Sequence, residues 1–351
     1  MQVELQHNTL EVNLKPEFSM GQLCYIRGLL DGARRAAVVS HTNADGDAVG
    51  SVMGLTLMLR ALYPQLEVTA MLPDGCPAQF GWMPLSAEIL NGRTDAERCH
   101  EALTGADVVF VLDLNTPPRM ESLATAFTAS RAAKVLVDHH HSPDTEAFDL
   151  IISEPLISST CELVVWLADA LWGEEAVSRE AATCLYVGLR TDTGGFAFSN
   201  TQPSLYMAAA QLVATGIDPA DINNRILNTF SENRLRFYGY AISNCLTVDR
   251  EHSFAYFAIS LDDQRHFGVG PEDMEGLVNY TLLMVDIECG ALIREEENRC
   301  KVSLRSKYTT DVNSMARQLF DGGGHTKAAG ATSKLTLQQT VKKLTDHIAT
   351  R

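Results

Sequence analysis

The chain reads as an α/β protein: a mostly parallel sheet with helices on both faces, joined to a smaller mixed α/β domain. Two observations predict this. The first half alternates short, β-branched apolar runs with longer helical stretches, which is the rhythm of β-α-β units. After about Asp218 that rhythm gives way to alternating strand-like runs and a glycine-rich stretch near the end.

In order, Ala36–Ser40 (AAVVS) is a buried strand and Ala48–Tyr63 a helix with an apolar face. Leu66–Leu72, Asp107–Leu112 (DVVFVL) and Lys134–Val137 (KVLV) are further strands, rich in valine. Pro118–Arg131 is helical, as are Ser159–Trp172, Ser178–Leu189 and Pro203–Thr215. Ile217–Tyr240 is polar and helical and reads as a linker. Cys245–Val248, Phe254–Ile259, Asp286–Glu295 and Arg299–Ser306 are strands of a second sheet, and Asp321–Ala331 (DGGGHTKAAGA) is its glycine-rich segment. The domains expected are therefore residues 1–216, a helical linker 217–240, and residues 241–351.

A length of 351 residues with 46% hydrophobic content suits two cored domains. Lys plus Arg number 28 against 44 Asp plus Glu, a net charge of −16. Proteins that grip long duplexes carry basic faces, so a small anionic substrate fits this balance better. None of the eight cysteines forms a C-x-x-C pair, which points to a reducing compartment, the cytoplasm. The segment MQVELQHNTLEVNLKPEF is too polar for a signal peptide, and no apolar run would span a membrane. Val164–Leu171 (VVWLADAL) is either core or a homodimer face.

Open α/β sheets bind ligands beyond the carboxyl ends of their strands. Here acidic and histidine motifs begin where three strands end: His41, Asp113 and Asp138. The first motif holds His41, Asp45 and Asp47, with Gly46 expected to let the backbone turn between the aspartates. Imidazole and carboxylate together suit Mn²⁺, Mg²⁺, Fe²⁺ or Zn²⁺, whereas Asp45 or Asp47 alone would read as a helix N-cap. Asp113 alone would be a turn residue. Asp138, His139, His140 and His141 form a clustered-histidine signal, with His141 left to the surface. Asp192-Thr-Gly-Gly alone reads as a turn. Together these carboxylates would repel one another unless cations lay among them. Two divalent ions roughly 3.5–4 Å apart make such a set a site for displacement at phosphorus. In the second domain Gly322, Gly323 and Gly324 bring bare N–H groups to an anion, with a helix start expected after them. His325 adds a donor, and Arg305 can take a phosphate bidentately. Their ordinary alternatives are a flexible turn and a surface arginine.

The order H-x-N-x-D-G-D-A-x-G, strand-end Asp, D-H-H and D-T-G-G resembles the DHH phosphoesterase superfamily, and G-G-G-H-x-x-A-A-G resembles the companion DHHA1 domain. Ser158–Leu163 (SSTCEL) is similar as well, and the likeness runs from about Ala36 to the end. Ala44, where relatives often carry proline, is the visible departure. The resemblance implies a catalytic DHH domain and a substrate-binding DHHA1 domain. It implies that His41 and Asp45 hold one ion, that Asp47, His139 and Asp192 hold the other, and that Asp113 bridges them. Asp138 would accept a hydrogen bond from a ligating imidazole, and His140 would face the substrate phosphate and assist the leaving group. Manganese is the family's usual metal, with Mg²⁺ using similar ligands.

Two-domain chains of this kind resemble bifunctional oligoribonuclease/3′-phosphoadenosine 5′-phosphate phosphatases. That implies short single-stranded RNA, dinucleotides and adenosine bisphosphate as partners. Cyclic-di-AMP phosphodiesterases share both domains and are the nearest alternative. Family II inorganic pyrophosphatases lack the G-G-G-H ending, and RecJ-type exonucleases carry extra domains. A nucleotide sensor without turnover is the non-enzymatic alternative, and the complete ligand set speaks against it.

Overall fold

The computed structural model describes residues 15–198, 200–228 and 230–350. Residues 1–14 of the polar N-terminal segment thus lie outside the described residues. The chain divides into two compact units, Met1–Thr229 and Phe230–Arg351.

The first unit is built from α1 (Met20–Gly32), β1 (Arg35–Val39), α2 (Gly46–Leu62), β2 (Glu67–Leu72), β3 (Leu90–Asn91), α3 (Ala96–Thr104) and β4 (Val108–Leu112). It continues with α4 (Ala124–Ala129), β5 (Ala133–Asp138), β6 (Leu150–Ser153), α5 (Thr160–Trp172), α6 (Arg179–Asp192), α7 (Pro203–Ala214) and α8 (Pro219–Leu227). Its sheet has the order β3-β2-β1-β4-β5-β6, with every neighbouring pair parallel. Continuous apolar strands of this type must be covered on both faces. They are: α2, α5 and α6 bury one face, while α3 and α4 bury the other.

The chain leaves β1 toward β2 and returns on its other side as β4. The β1–β4 boundary is therefore the topological switch point, where the connections diverge and leave a crevice at the strand ends. His41 follows β1 and Asp113 follows β4, so both stand at that crevice.

The expected helix Pro118–Arg131 is instead a 3₁₀ segment, Pro117–Leu123, followed by the short α4. The break falls at Glu121, whose φ of 38° and ψ of −98° no helix accommodates. Val164, Val165, Leu167, Ala168 and Leu171 are buried in the core of the unit, so Val164–Leu171 is core and not a dimer face. Among the described residues no helix is long and apolar enough to cross a membrane.

The second unit comprises α9 (Glu232–Tyr240), β7 (Leu246–Asp249), β8 (Phe254–Ile259), α10 (Leu261–Phe267), β9 (Cys289–Glu296), β10 (Arg299–Ser306), α11 (Val312–Leu319), β11 (Asp321–His325), β12 (Ala328–Ser333) and α12 (Leu337–Ile348). Its sheet runs β11-β12-β10-β9-β8-β7 and is mixed, with β8 and β9 parallel and the other pairs antiparallel. Helices α11 and α12 cover one face, and α9 with Met274, Leu277 and Val278 packs on the other. Residues 217–240 are shared out: Ile222 of α8 belongs to the first core and Phe237 of α9 to the second.

One expectation fails here. No helix follows the glycine run directly: β12 does, and α12 begins only at Leu337. Gly322, Gly323 and Gly324 lie in β11, an edge strand in a hairpin with β12. The strands approach so closely that a Cβ on Gly322 would sit 2.4 Å from the Gly330 carbonyl oxygen. The neighbouring helix, α11, precedes the run, and its first turn meets the end of it: Asn313 Oδ1 accepts from the Gly324 N–H at 3.0 Å, and the Val312 N–H donates to the Thr326 carbonyl at 2.9 Å.

Candidate metal centre

Four stretches of the first unit meet at the carboxyl end of the sheet. Asp45 is the N-cap of α2, its Oδ1 accepting from the N–H groups of Asp47 and Ala48 at 3.0 and 3.1 Å. The cap reading of this residue therefore holds as a structural fact alongside its place in the cluster. Asp47, in the first turn of α2, is completely buried. Its two oxygens accept from the Thr160 and Cys161 N–H groups at 2.6 and 2.8 Å. Those are free donors of the first turn of α5, so a helix N-terminus fixes this carboxylate.

The close fit of α6 supplies the third stretch. A Cβ on Gly188 would fall 2.2 Å from Cys161 Sγ and 2.7 Å from Asp47 Oδ1. Only glycine lets α6 lie against α2 and α5 at this level, and its last residue, Asp192, arrives beside Asp47. Gly46 has the same cause. It is helical, and a Cβ there would fall 2.4 Å from Thr191 Oγ1, so the glycine makes room for Thr191 rather than permitting a turn.

Asp113 is the hub. It closes β4 with a left-handed φ of 58°, a conformation aspartate tolerates at modest cost. Its Oδ2 lies 3.3 Å from His41 Nε2, and its Oδ1 lies 3.5 Å from His139 Nε2. The Thr160 hydroxyl donates to Oδ1 at 3.1 Å. His139 Nε2 also stands 3.3 Å from Asp192 Oδ2 and 3.9 Å from Asp47 Oδ2. His41 donates from Nδ1 to the Thr42 carbonyl at 2.8 Å, which turns Nε2 into the cluster as the free nitrogen.

Three donor groups result: His41 with Asp45 and Asp113; Asp47 with His139 and Asp192; and Asp113 with His139 and His140. Within each, one ligand atom per residue lies within 4.8 Å of the others. Asp113 belongs to two of the three. The hydrogen bond between His140 Nδ1 and Asp138 Oδ1, at 2.7 Å, identifies the imidazole that Asp138 supports as His140. Asp138 is fully buried, and among the described residues its Oδ2 has no hydrogen-bond partner.

The electrostatics follow from crowding. Burial, and then the Asp113 charge, push Asp45 and Asp47 above the usual carboxylate range. The same two causes raise Asp192 to about 7. Burial would depress His139, but the carboxylates of Asp113, Asp47 and Asp192 reverse this and lift it to about 10. Burial would raise Asp113, but the imidazoles of His139 and His41 more than reverse that and hold it well below the usual range. A buried cluster with this surplus of carboxylates calls for positive charge. Oxygen and imidazole donors, an unpartnered carboxylate oxygen and the raised acids together fit divalent cations of the Mn²⁺/Mg²⁺ class.

Two contacts here had no motif to announce them. Thr160 lies in SSTCEL, noted above only as a resemblance, and its contacts to Asp113 and Asp47 are made across 47 and 113 residues of chain. Arg119 comes from the 3₁₀ segment, its Nη1 3.4 Å from His140 Nε2.

In the second unit, Arg305 pairs in register with Ala328, and Ala328 with His325. The two proposed donors therefore flank β12 on one sheet face. Arg305 is half-buried and donates to the Leu304 carbonyl at 3.0 Å, so it is not a free surface arginine. His325 is exposed, and the Gly324 N–H donates to Asn313 Oδ1 at 3.0 Å. A cavity of about 520 Å³ opens over the same face, with Leu292, Arg294, Lys301, Ser303 and Gly330 in its lining.

Comparison with known proteins agrees with this architecture. Residues 35–189 match the DHH family N-terminal domain, and residues 251–350 match the DHHA1 domain. An exopolyphosphatase-related protein from Bacteroides fragilis is 32% identical, with a TM-score of 0.90 over 95% of this chain and 96% of that one. The chain belongs to the DHH/DHHA1 family. The bifunctional oligoribonuclease and PAP phosphatase NrnA of Thermus thermophilus is 28% identical over 312 residues, 89% of this chain and 88% of the relative. RecJ of Thermus thermophilus, solved with Mn²⁺, is 15% identical with a TM-score of 0.56, covering 96% of this chain and 56% of RecJ, and shares the fold. In DHH/DHHA1 terms, the first unit carries the acidic cluster and the second carries Arg305 and the glycine strand.

Proposed function

We propose that this DHH/DHHA1 protein is a two-metal phosphoesterase that hydrolyses short oligoribonucleotides to mononucleotides and 3′-phosphoadenosine 5′-phosphate to AMP. One observation carries the reading: a single buried carboxylate, Asp113, faces donor sets on both sides, His41 with Asp45 and His139 with Asp47 and Asp192. In this assignment His41 and Asp45 hold one ion, Asp47, His139 and Asp192 the other, and Asp113 both. Divalent ions bound there supply Lewis acidity at phosphorus and a water acidic enough to attack it. Mn²⁺ is the expected metal, supported by the chemistry of the donors and by the Mn²⁺ in the RecJ structure.

The protein's own part is orientation and proton handling. Asp138 holds His140 Nδ1, which leaves Nε2, 3.4 Å from Arg119 Nη1, as the group proposed to meet the substrate phosphate and its leaving oxygen. Thr160 and the N-terminus of α5 hold Asp113 and Asp47 at fixed positions. In the second unit, Arg305, His325 and the strand of Gly322, Gly323 and Gly324 are the proposed anion contacts, although the Gly324 N–H is already engaged by Asn313 Oδ1. The cavity on that face falls in the roughly 300–1,000 Å³ range of small-ligand sites. The name of the NrnA relative supports the substrate choice, and the net charge of −16 favours short substrates over long duplexes.

The deciding experiment is a substrate panel with Mn²⁺: di- to pentaribonucleotides, 3′-phosphoadenosine 5′-phosphate, cyclic-di-AMP and pyrophosphate. The expected order of kcat/KM places short RNA and the adenosine bisphosphate first. Pyrophosphate or cyclic-di-AMP leading the ranking would overturn the reading.

A further inference from the structure

Arg119 is a cation that the ligand assignments above leave without a task. It lies in the Pro117–Leu123 turn, where its neighbour Met120 is fully buried and anchors the turn from within. Its carbonyl accepts from the Thr42 N–H at 2.8 Å, tying the turn to the loop that carries His41. Its side chain is therefore delivered to the centre from a rigid support.

The guanidinium is half-buried, and among the described residues no carboxylate lies within ion-pair distance of it. That is unusual beside five clustered aspartates, since a partly desolvated guanidinium gains most by pairing with an anion. Instead Nη1 stands 3.4 Å from His140 Nε2. His140 is pinned on its other nitrogen by Asp138 at 2.7 Å, and its ring nitrogen lies 3.7 Å from Asp113 Oδ1. Nitrogen groups from two separate loops thus converge at one point on the rim of the Asp113, His139 and His140 group. A planar fork of donors in that position matches the oxygens of a tetrahedral oxyanion.

We infer that Arg119 binds a non-bridging oxygen of the substrate's phosphoryl group beside His140. It is a substrate-binding residue and takes no part in holding metal. This rests on the phosphoester reading above, but its test does not require turnover. The full-length, Mn²⁺-loaded protein and its Arg119→Gln and Arg119→Lys variants are titrated by calorimetry with AMP and with adenosine, which differ only in the phosphoryl group. Metal content and thermal unfolding are recorded for each protein.

The wild type should bind AMP more tightly than adenosine. Arg119→Gln should weaken AMP at least about tenfold, as loss of a charge-assisted contact does, leaving adenosine binding, metal content and unfolding unchanged. Arg119→Lys should recover part of the loss. Unaltered AMP affinity in Arg119→Gln, an equal loss for adenosine, loss of metal, or a wild type that does not favour AMP would each overturn the inference. If the substrate panel shows no hydrolysis while the Arg119-dependent AMP preference persists, the proposed activity fails and the binding role stands.

Discussion

Asp113 concentrates the energetic conflict of the centre in one residue. It combines a left-handed backbone, near-complete burial and contacts to two imidazoles and a hydroxyl. Such a cost persists where the surroundings over-determine it, and such sites are commonly functional. Asparagine keeps the size and tolerates the same φ but removes the charge. Asp113→Asn is therefore expected to fold, to bind less metal, and to lose turnover by at least about a hundredfold, the upper range for disturbing even an outer ligand partner. Metal content by mass spectrometry, together with kcat/KM, checks this; wild-type values for both would take Asp113 out of the centre.

The elements supply the site through fit rather than through strand and helix identity alone. Gly188 sets how near α6 comes to α2 and α5, and Asp192 rides on the end of α6. Gly188→Ala should overpack this contact and destabilise the protein by about 1–3 kcal/mol. It should also weaken metal binding, because α6 can relieve the clash only by moving Asp192 away from Asp47. Urea unfolding and a Mn²⁺ titration test both parts, and a stable variant with full metal affinity would show that the helices yield elsewhere. Much of this level was legible in the sequence. Valine-rich runs marked β1, β4 and β5, and the strand-end positions of His41, Asp113 and Asp138 followed from them. What stayed hidden has physical reasons. Thr160 reaches Asp47 by tertiary register, which local periodicity does not encode. Arg119 sits where two prolines and a non-helical Glu121 break the expected helix. The glycine run reads as a loop because glycine disfavours strands, yet here its lack of side chains is what lets β11 close on β12.

At the scale of the whole molecule, each unit has its own core, and the cluster belongs to one of them. A cation that binds the folded centre and not the unfolded chain stabilises by RT ln(1 + [L]/Kd), about 2.7 kcal/mol at a hundredfold excess over Kd. That free energy enters where the ligands are. They come from the ends of β1, β4 and β5 and from α2 and α6, so opening any of these elements would release the metal. Binding also relieves the repulsion among Asp45, Asp47, Asp113 and Asp192, in a chain that already carries a net charge of −16. Hydrogen exchange with and without Mn²⁺ should therefore show slowed amides in those five elements. The sheet from β7 to β12, which contributes none of the proposed metal ligands, should exchange as before. Uniform slowing across both sheets would mean that the ion acts on the molecule as a whole. No slowing in the first unit at saturating Mn²⁺ would mean that the acidic cluster does not bind it.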